Sequence, residues 1–122
     1  INKLKKLKKD GVKVKLLMYP KNIINHIKTS KLIICAGGFT IYEALLFKKN
    51  IICFGLWDNQ LNNLIYLRKK KLIEFINIDK IQKKLSILVH KNLNNQKNFT
   101  KSNKIIDHLG SLRIVNKILK IK

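Results

Sequence analysis

Gly37, Gly38, Thr40 and Glu43 are the first residues in the sequence whose types and spacing suit chemistry. Two consecutive glycines let a backbone turn tightly and approach a ligand with no Cβ in the way. Thr40 stands where a hydroxyl caps a helix or donates to a phosphate oxygen. Glu43 follows one turn later on the same side, where a carboxylate accepts hydrogen bonds from a ribose diol. The chemistry implied is recognition of a phosphorylated nucleoside. Thr-x-x-Glu also spells a capping box, in which the two side chains satisfy backbone N–H groups and bind nothing. From the turn alone both readings stay open. A second polar group, Asp58-Asn59-Gln60, reads by itself as the start of a helix with Asp58 as its N-cap.

Such groups work only if strands and helices present them together. Residues 32–35 form an apolar run, β-branched at its centre, as in a strand buried on both faces. Ile41, Ala44, Leu45 and Phe47 then recur at helical spacing, and residues 51–54 form a second apolar run. This is a βαβ unit, whose strands must be parallel. Ligands of open parallel sheets bind beyond the carboxyl ends of the strands, so the glycine turn and the Asp-Asn-Gln loop belong on one edge.

The flanking chain supplies the remaining layers. Residues 2–9 place Leu4 and Leu7 on one face of an amphipathic helix, and 12–17 alternate as a strand. A short helix is expected at 23–28; its His26 has no neighbour suited to a metal or a triad and is a surface or packing residue. A helix running to Arg68 has Leu61, Leu64, Ile65 and Leu67 on its apolar side, with Trp57 before it as a buried anchor. A last strand is expected at 72–76, then a helix at 79–92 capped by Asp79. An Asn- and Lys-rich connector at 92–103 leads to a final helix at 111–120 with Leu112, Val115, Ile118 and Leu119 on one side. Asp107 and Arg113 are spaced to form an ion pair that fixes the turn before it.

The stretch AGGFTIYEALLFKKNIICFGLWDNQ resembles the C-terminal domain of GT-B nucleotide-sugar enzymes. There a strand ends in Gly-Gly-Ser/Thr, a Glu follows on the helix, and the loop after the next strand carries Asn-Gln or His-Gln. Within that family the resemblance is to the UDP-sugar hydrolases of pseudaminic acid synthesis and their relatives in spore-coat polysaccharide synthesis. These share an Asp-Asn-Gln loop and a terminal Asp-Gly-x-Gly-x-x-Arg-Val signature, matched here by Asp107-His108-Leu109-Gly110-Ser111-Leu112-Arg113-Ile114-Val115.

The resemblance implies a Rossmann-like α/β fold, a parallel sheet flanked by helices that forms the C-terminal half of a GT-B fold. It implies that the turn at Gly37, Gly38, Phe39 and Thr40 holds pyrophosphate and that Glu43 holds ribose. The loop of Tyr19, Pro20, Lys21 and Asn22 would bind the base, and Asp58, Asn59 and Gln60 would face the distal phosphate or the sugar. The ligand would be a UDP-sugar, to be hydrolysed or transferred to an acceptor, with no cofactor and no metal. The catalytic base would lie in an N-terminal domain that this chain lacks, along with the first strand of this one. Departures from the family pattern are Lys31, Phe39, Lys48, Asn50 and His108. Lys48, replacing a glycine between helix and strand, would cost about 1 kcal/mol if held in the left-handed conformation.

Length and composition bound this picture. The 122 residues make one domain, and a start at Ile1 rather than Met marks the expected fragment of a longer polypeptide. A net charge of +21 ordinarily signals nucleic acid or an anionic membrane. Here, however, only Arg68 and Arg113 of the 27 basic residues are arginine, and Ile and Asn are abundant, a pattern of AT-rich coding. Specific nucleic-acid surfaces use more arginine and interleaved aromatics, so the expectation is a weak association with anionic surfaces at most. Two rival functions remain: a lysine-rich nucleic-acid or membrane-surface binder, and a degenerate domain kept for a protein partner. Cys35 and Cys53 lie inside apolar runs without metal spacing, as thiols of a reducing cytoplasm do. No run is long enough for a transmembrane segment.

Overall fold

The computed structural model describes residues 13, 15, 17–95 and 106–120. The helix expected at 2–9 and half of the strand expected at 12–17 lie outside the described residues; Lys13, Lys15 and Leu17 are exposed and in no regular element. The elements in order are α1 (Ile23–Thr29), β1 (Leu32–Ala36), α2 (Thr40–Leu46), β2 (Asn50–Phe54), α3 (Asp58–Lys69), β3 (Glu74–Ile76), a 3-10 turn (Ile78–Lys80), α4 (Ile81–Asn94) and α5 (Gly110–Leu119). The described strands form a parallel sheet in the order β1-β2-β3. Its register pairs Leu32 with Asn50 and Ala36 with Phe54 across the first ladder, and Ile52 with Glu74 across the second.

Side chains alternate across a strand, and this divides the helices between the two faces of β2. Ile51 and Cys53 pack with Ile41, Ala44 and Leu45 of α2 and with Leu64 and Leu67 of α3. Asn50, on the opposite face, donates to the carbonyl of Asn92 in α4 at 2.6 Å. The central strand is therefore buried on both faces, and each fully buried Ile or Leu here contributes about 1.5–3 kcal/mol.

The expectation that β1 is buried on both faces is corrected. Its central Ile34 is 45% exposed, because β1 is the outer strand of the described sheet and its cover on the α4 face is incomplete. Ile65 likewise departs from the expected apolar side of α3, turning outward while Leu64 and Leu67 are buried. The last strand is shorter than expected. Leu72 and Ile73 are buried ahead of it, and the N–H of Leu72 is held by the carbonyl of Leu67 at the end of α3.

Two lysines occupy positions that usually fall to glycine. Lys48 has φ 54° and Lys71 has φ 59°, both left-handed. After α2, Lys48 N–H bonds to Leu45 and Lys49 N–H to Ala44; after α3, Lys71 N–H bonds to Arg68 and Leu72 N–H to Leu67. Both pairs are Schellman motifs, and they turn each helix directly into the next strand. Asp79 is not the cap of α4: it sits within the 3-10 turn, and Lys80 holds the cap position with no side-chain bond.

Candidate functional site

The carboxyl ends of β1 and β2 bring the two sequence motifs together. The N–H of Gly37 donates to the carbonyl of Phe54 at 3.0 Å, fastening the end of one strand to the end of the next. α3 then crosses against the turn. A Cβ on Gly37 would stand 2.9 Å from Leu64 Cδ1 and 3.0 Å from Gln60 Oε1, so this glycine exists for close approach to α3. Gly38 is different: a Cβ there would meet nothing within 4 Å. The first glycine packs, and the second faces open space.

Of the four backbone donors expected to meet pyrophosphate, two are used by the fold. Gly37 N–H bonds to Phe54 and Gly38 N–H to Ala36, whereas the N–H groups of Phe39 and Thr40 enter no hydrogen bond among the described residues. Thr40 is the first residue of α2 rather than its cap. Phe39 takes the cap position, with no side-chain bond. The capping box is therefore absent: the Thr40 hydroxyl and the partly buried Glu43 carboxylate have no hydrogen-bond partner among the described residues.

The second motif splits in the same way. Gln60 is partly buried, and its Oε1 accepts from the N–H of Leu56 at 3.1 Å, bracing the loop between β2 and α3 against the glycine turn. Asp58 and Asn59 are exposed. Asp58 is the first residue of α3 and not its N-cap; Trp57 occupies the cap position in extended conformation. The expectation of a buried Trp57 is overturned as well. Trp57 is 71% exposed in the extended segment before α3, and Phe39 on the neighbouring turn is 87% exposed.

The loop of Tyr19, Pro20, Lys21 and Asn22 is exposed throughout. Tyr19 is 92% exposed and left-handed at φ 49°. Asn22 caps α1, its Oδ1 accepting from the N–H of Asn25 at 3.3 Å, and so serves the fold. No hydrogen bond joins this loop to the glycine turn among the described residues.

Other contacts had little signal in the sequence. Tyr42 of α2 donates to Asn63 Oδ1 of α3 at 2.9 Å, tying together the helices that carry the two motifs. Cys35 and Cys53 face each other across the β1–β2 ladder with their sulfurs 3.8 Å apart, within reach of an S–H···S hydrogen bond and too far for a disulfide. The neighbouring Cys53 thiol draws the Cys35 pKa below its ordinary value, against burial, which raises it. A cavity of about 370 Å³ beside β3, lined by Arg68, Lys80, Lys84, Phe75 and Leu88 among others, includes none of the expected site residues. No helix among the described residues is long and apolar enough to cross a membrane. Neither a family model, nor a curated protein, nor a solved structure matches this chain.

Proposed function

We propose that this chain binds the UDP portion of a nucleotide sugar at the carboxyl ends of β1 and β2, as the C-terminal half of a GT-B-type UDP-sugar hydrolase. The observation that carries the reading is a set of polar groups left without partners on one edge: the N–H groups of Phe39 and Thr40, the Thr40 hydroxyl and the Glu43 carboxylate. An anion with a diol attached satisfies both kinds. Donors at Phe39 and Thr40 take phosphate oxygens, while Glu43 accepts from ribose hydroxyls. Gly38 leaves the approach open, and the exposed rings of Phe39 and Trp57 offer faces on which a base or sugar stacks.

In this role the chain fixes the leaving group. Backbone donors aimed at phosphate oxygens stabilise the charge that grows on UDP as its bond to the sugar, or to the attacked phosphorus, breaks. The base that activates water belongs to another domain, so the chain alone binds UDP weakly and releases no sugar. A transferase of the same fold would present an acceptor hydroxyl in place of that water.

Trp57 is the single tryptophan of the sequence, which makes its fluorescence a direct reporter. Titration with UDP is expected to change its emission saturably, with Glu43→Ala weakening the affinity at least about tenfold through loss of a charge-assisted pair of hydrogen bonds. An unchanged emission together with no heat of UDP binding in calorimetry would overturn the assignment. Equal affinities for UDP and for inorganic phosphate would remove the nucleotide from it.

A further inference from the structure

We infer that α5 is a docking element for an anionic lipid surface, lying along the bilayer interface with its apolar side inserted. Two features of Gly110–Leu119 point there: it buries none of its residues, and its side chains are sharply segregated. At 100° per residue Ile114, Ile118, Val115, Leu119 and Leu112 share one side of the helix, interrupted only by the small Ser111, and Arg113, Asn116, Lys117 and Lys120 fill the opposite side. All five apolar residues are at least half exposed, from 50% at Val115 to 63% at Ile114 and Leu119. A helix of this pattern gains its stability from what it lies against.

Charge selects the occupant. Gly110–Leu119 carries no acidic residue, and the whole chain carries +21, so a second copy of this chain would be repelled. Nucleic acid meets the charge but gives an aliphatic arc nothing to bury, and the arc holds no aromatic ring for stacking. An anionic bilayer satisfies both sides at once: aliphatic chains enter the acyl boundary while lysines meet lipid phosphates. Ten residues span about 15 Å, half the hydrocarbon thickness, so the helix lies on the surface and does not cross it. Its entry is fixed by Asp107, which receives both guanidinium nitrogens of Arg113 at 2.8 and 2.9 Å and the N–H of Leu109 at 2.9 Å.

The test is co-sedimentation of the whole chain with vesicles of phosphatidylcholine alone or mixed with phosphatidylglycerol, at about physiological salt to suppress loose charge attraction. The chain is expected to bind the mixed vesicles and not the neutral ones. A double variant, Ile118→Gln with Leu119→Gln, keeps the charge and touches no buried residue; its partitioning is expected to fall at least about tenfold. Ile87→Gln, at a residue of α4 that is 66% exposed, is expected to bind as the parent does. Equal binding by the double variant would assign the attraction to net charge alone and overturn the inference. So would absence of parental binding to the mixed vesicles, which would mean that protein covers this face.

Discussion

The Nδ2 of Asn50, at the start of β2, donates to the main-chain carbonyl of Asn92 at 2.6 Å, in the last turn of α4. A second bond, at 3.2 Å, reaches the carbonyl of Asn95 just past the helix end. Carbonyls at a helix end lack intrahelical donors, so one buried side chain closes α4 and fastens it to the central strand. Asn50→Ala leaves the carbonyl of the buried Asn92 without that donor. A loss of about 2 kcal/mol is expected, read as a lower denaturant midpoint with an unchanged slope.

Lys48 and Lys71 stand left-handed at the ends of α2 and α3, where a Cβ crowds its own carbonyl. Glycine removes that strain but adds freedom to the unfolded chain. The strain is the larger effect, so Lys48→Gly and Lys71→Gly should each stabilise by about 0.5–1 kcal/mol. Neither side chain is in the core, and equilibrium unfolding of the double variant should show the two gains adding.

The two glycines of the turn should respond differently to alanine. Gly37→Ala drives a methyl group into Leu64 and Gln60, and a loss of about 1–3 kcal/mol is expected with the Leu56–Gln60 bond disturbed. Gly38→Ala meets open space and should unfold within about 0.5 kcal/mol of the parent. If UDP occupies the turn, Gly38→Ala weakens its binding without that loss of stability, and thermal melts with and without UDP separate the two effects.

Asp107 is held below the ordinary aspartate value of 3.8, first by its hydrogen bonds from Arg113 and then by the N–H of Leu109. A depressed folded-state value means that its contribution is present above the unfolded value near 3.8 and is lost as pH falls through the lower folded one. The ion pair that fixes the first turn of α5 should therefore weaken as pH falls below 3.8. Carboxyl carbon NMR should give Asp107 a value under 3.8, and Arg113→Gln should return it toward the ordinary one.

The βαβ unit was legible because each of its signals is local. Apolar runs of strand length, helical spacing from Ile41 to Leu45 and a glycine pair between them leave few other arrangements, and the expected boundaries fall within two residues of those observed for α1, β1, α2, β2 and α3. The ion pair of Asp107 and Arg113 was legible for the same reason, since its partners are six residues apart. Helix starts were less so. Thr40, Asp58 and Asp79 all have cap chemistry, yet Phe39, Trp57 and Lys80 hold the cap positions, because side-chain type states what a residue can accept and not where the helix begins.

Sequence alone determined the parallel α/β unit and placed Gly37, Gly38, Thr40, Glu43, Asn59 and Gln60 at the carboxyl edge of its strands. Only the tertiary structure decided which of them the fold consumes. Gly37 and Gln60 are taken up by the packing of α3 on the turn, while Gly38 faces open space and the partly buried Thr40 hydroxyl and Glu43 carboxylate are left without a hydrogen-bond partner among the described residues. The exposure of Trp57 and the burial of Asn50 against α4 were decided there too. The physical reason is common to all of these. Local pattern sets the period and direction of each element, but whether a side chain meets solvent or a neighbour depends on segments distant in the chain, whose approach no short spacing records.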